Sequence, residues 1–346
     1  MDNSTGRNTM RITLLNTFKF LLLLVIAAGL LLFAFRGMDI KKIFSEMMKA
    51  DLFWVTLSAL FSVAAFISRA YRWKLLIEPL GYSPSLKKTT YSLMVGYFAN
   101  LAFPRLGEIT RCGALNKTEK IPFNKLLGTV IAERAIDVLS LLLCMLLASV
   151  IEFKRLGYFF RENIIDPFVS KIEQLAKSPI AQLAALFLLA TVVIILFFYF
   201  KKARKKSSET GFTKLIKGLL DGLRTVANLK HPWLFIFHSI LIWLLYYLGV
   251  YVCLFAFPFT TGLGFGTALF LLVAGGIGMS APVQGGIGAY HLLVSQGLIL
   301  YGLSRQDGLA FATLLHSLQL LLVVIFGLTS LLLLFYYRKN TNNSRF

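Results

Sequence analysis

Long apolar runs leave one solvent in which this chain can fold. Seven segments, 18–35, 52–68, 126–151, 180–200, 233–257, 287–303 and 309–337, approach or meet the roughly 17–25 residues a helix needs to cross a bilayer. An eighth, 266–281, is slightly short. A ninth, 91–103, has 13 residues, a length that suits a re-entrant or interfacial piece better. Composition agrees: 57% of residues are hydrophobic and 15% charged, with a mean hydropathy of +0.72. Soluble domains carry about 45–50% and ~25%. A soluble domain, a disordered chain, a collagen-like repeat and a disulfide-stapled secreted module are therefore excluded. No small-x-small cleavage site closes the first run, which reads as a retained anchor.

The formal net charge of +20 invites a nucleic-acid reading. That reading fails because the positive charge sits in short loops between apolar runs. With the N-terminus inside and 91–103 dipping in and returning, segments 1–17, 69–90, 104–125, 201–232 and 338–346 face the cytoplasm. They hold 24 Lys and Arg against 10 in the outer segments, with acidic residues reversed, 6 against 8. This is the positive-inside bias. The expectation is an all-α polytopic membrane protein with about eight transmembrane helices plus a re-entrant segment. It forms a single integral membrane domain over 1–346, with short cytoplasmic tails at 1–17 and 338–346. The basic stretch Lys201, Lys202, Arg204, Lys205, Lys206 fits a topology signal touching anionic lipid, or a docking site for a cytoplasmic partner. Cys112, Cys144 and Cys253 are far apart, and His231 and His238 have no ligand spacing, so neither a metal nor a cofactor is expected.

Three places break the apolar pattern. In 100–111, Pro104 stops the short run and suits the first turn of a following helix. Arg105, Glu108 and Arg111 then stand at i, i+3 and i+6, so two guanidiniums near a helix N-terminus make a site for a lipid phosphate. An ordinary loop obeying the charge bias fits the same residues. In the span 126–151, Glu133, Arg134 and Asp137 are ionisable residues at depth, which must face protein or water. An Arg134–Asp137 pair at i, i+3 leaves Glu133 to meet an arginine from elsewhere. A structural ion pair and the lining of a polar cavity both remain open. In 274–291, six glycines and Pro282 cannot support a continuous helix, and broken backbone at membrane depth is tolerated only in protein or along a water-filled cavity. Close helix packing through small residues is the alternative. Pro104…Gly107 and Pro282…Gly285 share a Pro-x-x-Gly spacing after a short apolar segment, which points to inverted repeats around a midplane site. Arg69, Arg72, Trp73 and Lys74 read as an interfacial anchor or a phosphate contact. His316 and Gln319 lie at i, i+3 in the last span.

In this order, Arg69…Arg72, Pro104-Arg105-x-Gly107-Glu108-x-x-Arg111, Glu133-Arg134-x-x-Asp137 and Pro282-x-x-Gly285-Gly286-x-Gly288 resemble the lysylphosphatidylglycerol synthase transmembrane-region family of bacterial and archaeal flippase-like proteins. The likeness spans roughly 15–337. Its best-understood members resemble the flippase half of the multiple peptide resistance factor, which moves aminoacylated phosphatidylglycerol between leaflets. Those proteins carry a C-terminal aminoacyl-transferase domain; this chain ends nine residues after its last span, so synthesis of the lipid is not expected. The family often reads Pro-Gly-Gly-x-Gly with a Glu three residues on. This chain has Gln284 at the first position and His291 in place of the Glu.

The resemblance and the residues together imply a non-enzymatic protein of the bacterial cytoplasmic (inner) membrane, with both termini cytoplasmic. It would bind and translocate a phospho- or polyprenyl-lipid with an anionic or zwitterionic head group. Arg105 and Arg111 would hold the phosphate, with Arg69 and Arg72 at the cytoplasmic mouth and Glu133, Arg134 and Asp137 as a polar track. Pro104, Gly107, Pro282, Gly285, Gly286 and Gly288 would be the broken-helix hinges. The alternative is a non-transporting accessory subunit of an envelope lipid or glycan transferase, partnered by that enzyme. An intramembrane transferase using Glu108 or His291 as base lacks a nucleophile or metal set.

Overall fold

In the computed structural model, the described residues are 21–22, 24–161 and 229–343, with 166, 169 and 170. The expected span 180–200, the opening of the first span, most of the basic loop 201–232, the tail 1–17 and residues 344–346 lie outside them. Contacts divide the chain into two units, Met1–Ile151 with Asp221–Phe346, and Glu152–Leu220. In the second, the described part is essentially one short helix, α7 (Phe153–Phe160), preceded by Glu152, which pairs with Arg155 at 3.7 Å.

The first unit is helical throughout its described length. After α1 (Leu24–Phe35) comes α2 (Ile40–Met48), started by Asp39, whose carboxylate accepts from the Lys42 amide. Asp51 caps α3 (Leu52–Ile77) in the same way, accepting from the Phe53 amide at 2.9 Å. Then follow α4 (Leu86–Ala102), α5 (Leu106–Glu119), α6 (Phe123–Ile151), α8 (Pro232–Cys253), α9 (Phe265–Ser280), α10 (Ala289–Ile299) and α11 (Arg305–Asn343). Of these, α3, α6, α8 and α11 are long and apolar enough to cross a membrane, and α1 and α9 are shorter apolar helices.

The four short helices form two hairpins. At 11–17 residues they are roughly 16–26 Å long, less than the ~30 Å hydrocarbon thickness. In the first, α4 turns at Phe103–Arg105 and α5 runs back beside it. Lys88 and Glu119 (3.3 Å) close its open end, and the Gly107 amide donates to Asn100 Oδ1 (2.7 Å) near the tip. Residues 104–125, read from sequence as a cytoplasmic loop, thus contain a packed helix that buries Cys112 and Leu115. The apolar stretch 91–103 is the second half of α4, which begins at Leu86. In the second hairpin, α9 and α10 pack on each other around the turn 281–288. Segments 266–281 and 287–303 read as two crossings or as two half-helices near residue 282; the helices found are 16 and 11 residues, half-helices separated by the broken turn.

The same order of elements therefore occurs twice: long helix, hairpin, long helix, as α3–α6 and as α8–α11. The two sets interlock. α3 packs against α8, α4 against α11, and α9 against α6, so each hairpin leans on the last helix of the other set. The main apolar core joins the second set, with Cys253, Phe257, Leu271, Tyr290, Val294, Leu298 and Phe311 buried together. A smaller one, around Trp73, Cys112, Leu115, Leu126 and Val130, joins α3, α5 and α6.

Close approach inside the first hairpin depends on glycine. A Cβ on Gly107 would collide with the Gly96 carbonyl oxygen and the Asn100 carboxamide, whereas one on Gly113 of the same helix meets nothing within 4 Å. Gly107→Ala should therefore lower the unfolding temperature in detergent by several degrees, from about 1–3 kcal/mol of overpacking. Gly113→Ala, gaining helix propensity, should melt at or above wild type.

Candidate functional site

The three ionisable residues of α6 explain the packing around them. Glu133 and Asp137, one turn apart, face α3, whose Arg69 and Arg72 stand one turn apart on its inner side. Arg69 Nη2 donates to Glu133 Oε1 (2.9 Å) and Asp137 Oδ2 (2.7 Å). Arg72 Nη2 donates to Asp137 Oδ1 and lies 3.4 Å from Glu133 Oε1. From α8, Tyr246 and Ser239 oxygens accept from Arg69 (3.3 Å) and Arg72 (3.4 Å). Arg72 and Glu133 are 0% exposed. Charges so buried survive only when paired, so these pairs tie α3, α6 and α8 into one arrangement.

Arg111 enters from α5. It is 1% exposed and lies 2.9 Å from Glu133 Oε2, yet none of its three guanidinium nitrogens makes an aligned hydrogen bond. Its plane lies over the Trp73 ring at 4.7 Å, a cation–π contact. Trp73 is itself pinned, donating from Nε1 to Thr129 Oγ1 at 2.9 Å. Arg134 is more open; it sits 3.6 Å from Asp137 and 3.7 Å from Glu108 of α5. Four arginines thus surround three carboxylates, an excess of one positive charge. Beside them Gly96, Tyr97, Asn100, Gly107, Glu108, Arg111 and Arg134 line a small, half-open recess.

Sequence-predicted residues divide accordingly. Arg69, Arg72, Glu108, Arg111, Glu133, Arg134 and Asp137 come together. Arg69 and Arg72, placed by their sequence neighbours at a cytoplasmic mouth, are buried inside the helix contact, because α6 supplies their counter-charges. Arg105 does not join Arg111. It precedes α5 with a left-handed backbone (φ 65°), strained for a residue with a Cβ, and its side chain is exposed. Pro104 sits in the tip turn, two residues ahead of the first helical position, where a helix-starting proline would stand. Pro282, Gly285, Gly286 and Gly288 make the second tip, where φ values of 56°, 74° and 83° at the three glycines exclude ordinary helix. His291 accepts from the Gly288 amide at 3.4 Å and does not reach the arginines by any hydrogen bond. Sequence reasoning missed Tyr97, Asn100, Ser239 and Tyr246, which carry no motif. It also missed the support Trp73 gives Arg111, although Trp73 stands four residues after Arg69. Among the described residues no three His, Cys, Asp or Glu side chains gather as a metal site.

The family model described as lysylphosphatidylglycerol synthase TM region matches residues 20–327. A UPF0104 membrane protein of Methanocaldococcus jannaschii is 30% identical over 128 residues, 36% of each chain. Another, from Pyrococcus horikoshii, is 27% identical over 134 residues, 38% of this chain and 40% of the relative. The matched region spans less than half the length of these curated relatives. No solved structure matches.

Because Glu133 compensates three buried arginines, Glu133→Gln should destabilise the protein by about 3–5 kcal/mol. Arg134→Gln, at a side chain 41% exposed, should lose less than about 1 kcal/mol. Thermal unfolding of both variants in one detergent reads the difference.

Proposed function

We propose that this chain, which belongs to the lysylphosphatidylglycerol synthase transmembrane-region family, binds the phosphate of a lipid head group and carries that lipid between the leaflets of the cytoplasmic membrane. The observation that supports this most is Arg111, a guanidinium buried at the wall of a recess, beside a carboxylate but aligned with none of its oxygens. A phosphate in the recess would accept from these unaligned N–H groups, whose planar fork matches its oxygens. It would also balance the one unmatched positive charge of the cluster.

The surroundings suit such a passenger. Asn100, Tyr97 and Glu108 offer further polar contacts, and Glu133, Arg134 and Asp137 continue the polar surface along α6. The two broken hairpins place irregular backbone at the tips, where a polar group inside a bilayer finds hydrogen-bonding partners. The excess of Lys and Arg in the segments read as inner supports cytoplasmic termini. Chemistry on the lipid is no part of the role; a separate transferase would supply a modified lipid.

Purified protein reconstituted in liposomes should scramble a fluorescent phosphatidylglycerol, read by dithionite quenching. Arg111→Lys keeps the charge opposite Glu133 but loses the fork, and should slow scrambling about tenfold or more. Lys42→Ala, an exposed cation on α2, should leave the rate unchanged. An Arg111→Lys rate equal to wild type sinks the assignment of the phosphate to Arg111. No scrambling by wild type sinks transport and leaves the accessory-subunit reading.

A further inference from the structure

Away from the arginines, the second tip holds polar side chains that the protein leaves unmatched. Gln284, which opens the tip, is buried, and neither its amide oxygen nor its amide nitrogen meets a hydrogen-bonding group. His316 on α11 is fully buried, with Nε2 2.9 Å from the Gly285 carbonyl oxygen. A carbonyl only accepts, so Nε2 carries the ring proton, and Nδ1 of the neutral ring is left as an acceptor. Nδ1 has no partner. One turn earlier on the same face of α11, the Thr313 hydroxyl is buried and also unmatched.

Native interiors hold few such atoms, because an unmet buried donor or acceptor is costly. Here Gln284 adjoins Gly285 in the chain, His316 meets the Gly285 carbonyl, and Thr313 stands one turn before His316. Leu101 at the end of α4 and Leu320, one turn beyond His316, lie beside Gly285, and the Tyr290 ring stacks on His316 at 4.6 Å. His291 meets the His316 ring edge-on at 4.9 Å.

The unmatched set is two acceptors, an amide N–H group and one hydroxyl, all uncharged. A phosphate, which only accepts, would face the lone pairs of Gln284 Oε1 and His316 Nδ1. An ammonium would find no counter-charge in the set. A hydroxyl both donates and accepts, and suits every member. We propose that the second tip is a subsite for an uncharged hydroxyl-bearing group, the diol of a glycerol or the ring of a sugar. The proposal deepens the head-group reading and rests on it for the source of those hydroxyls, which a soluble polyol phosphate could also supply.

Three measurements on the full chain in detergent test it. Gln284→Met removes two unmatched atoms and breaks no bond, so it should melt at or above wild type. A fall of more than about 5 °C would mean that the amide already has a structural partner, and would overturn the subsite. Native mass spectrometry then reads competition between phosphatidylglycerol and phosphatidylethanol of the same acyl chains, phosphodiesters of equal charge of which only the first carries the diol. Wild type should prefer phosphatidylglycerol about tenfold, and Gln284→Met and Thr313→Val should bring the ratio near one with total lipid retained unchanged. No preference in wild type, or one that survives Gln284→Met, overturns the subsite and leaves the anion site standing. Retention of neither lipid removes the head-group reading instead. The third arm adds millimolar glycerol 3-phosphate. A rise in Tm in wild type that Gln284→Met abolishes assigns the subsite to a soluble ligand, and no rise where neither lipid binds overturns it.

Discussion

Everything in the first unit is arranged around one contact, the meeting of Glu133 and Asp137 with Arg69, Arg72 and Arg111. None of these charges is tolerable in hydrocarbon alone. Each becomes so when α3, α5 and α6 stand side by side, and α8 completes the arrangement by accepting from Arg69 and Arg72. Apolar helices slide past one another with little preference in lipid, where no hydrophobic force drives them together. The ion network supplies the missing specificity, because a shift of one turn along α3 would put one arginine in the other's place and carry its neighbour past the carboxylates. The pairs are therefore better understood as fixing which face meets which than as a large net stabiliser.

That network is also incomplete in an informative way. Two of its arginines use carboxylate oxygens with good geometry, whereas Arg111 has charge compensation without alignment. Trp73 holds the guanidinium from its face, and Thr129 holds Trp73. The face of this one side chain thus serves the fold, while its edge lies between Glu133 and the recess.

Much of this was legible in the residues, and what was not has identifiable causes. Glu133, Arg134 and Asp137 stood out because charge inside an apolar run is conspicuous. Arg69 and Arg72 were singled out as an anchor or phosphate contact, but their pairing with α6 was not, because arginine at the end of a span is what the positive-inside bias leads one to expect, and a pairing 61–68 residues away in the chain leaves no local trace. The start of α4 at Leu86 was hidden by Lys87, Lys88, Thr89 and Thr90, which lower the hydropathy of a helix lying against other protein. The second hairpin was read as two crossings because hydropathy reports how apolar a run is, not whether the chain doubles back. Its glycines and Pro282 did mark where the doubling occurs. Arg105 shared a helix spacing with Arg111 on paper, and a single left-handed residue at the tip removed it from that face.

The exchange of partners between the two sets of helices has a mechanical meaning. Since α4 rests on α11 and α9 on α6, neither hairpin can follow its own set without being held back by the other. A tilt of α11 pushes on the end of α4 through Phe98, which lies against Gly327, and on the Gln284 turn through Leu320, which lies against Gly285. Any rocking of this one helix would therefore be felt at both tips at once, as in a pair of clasped hands.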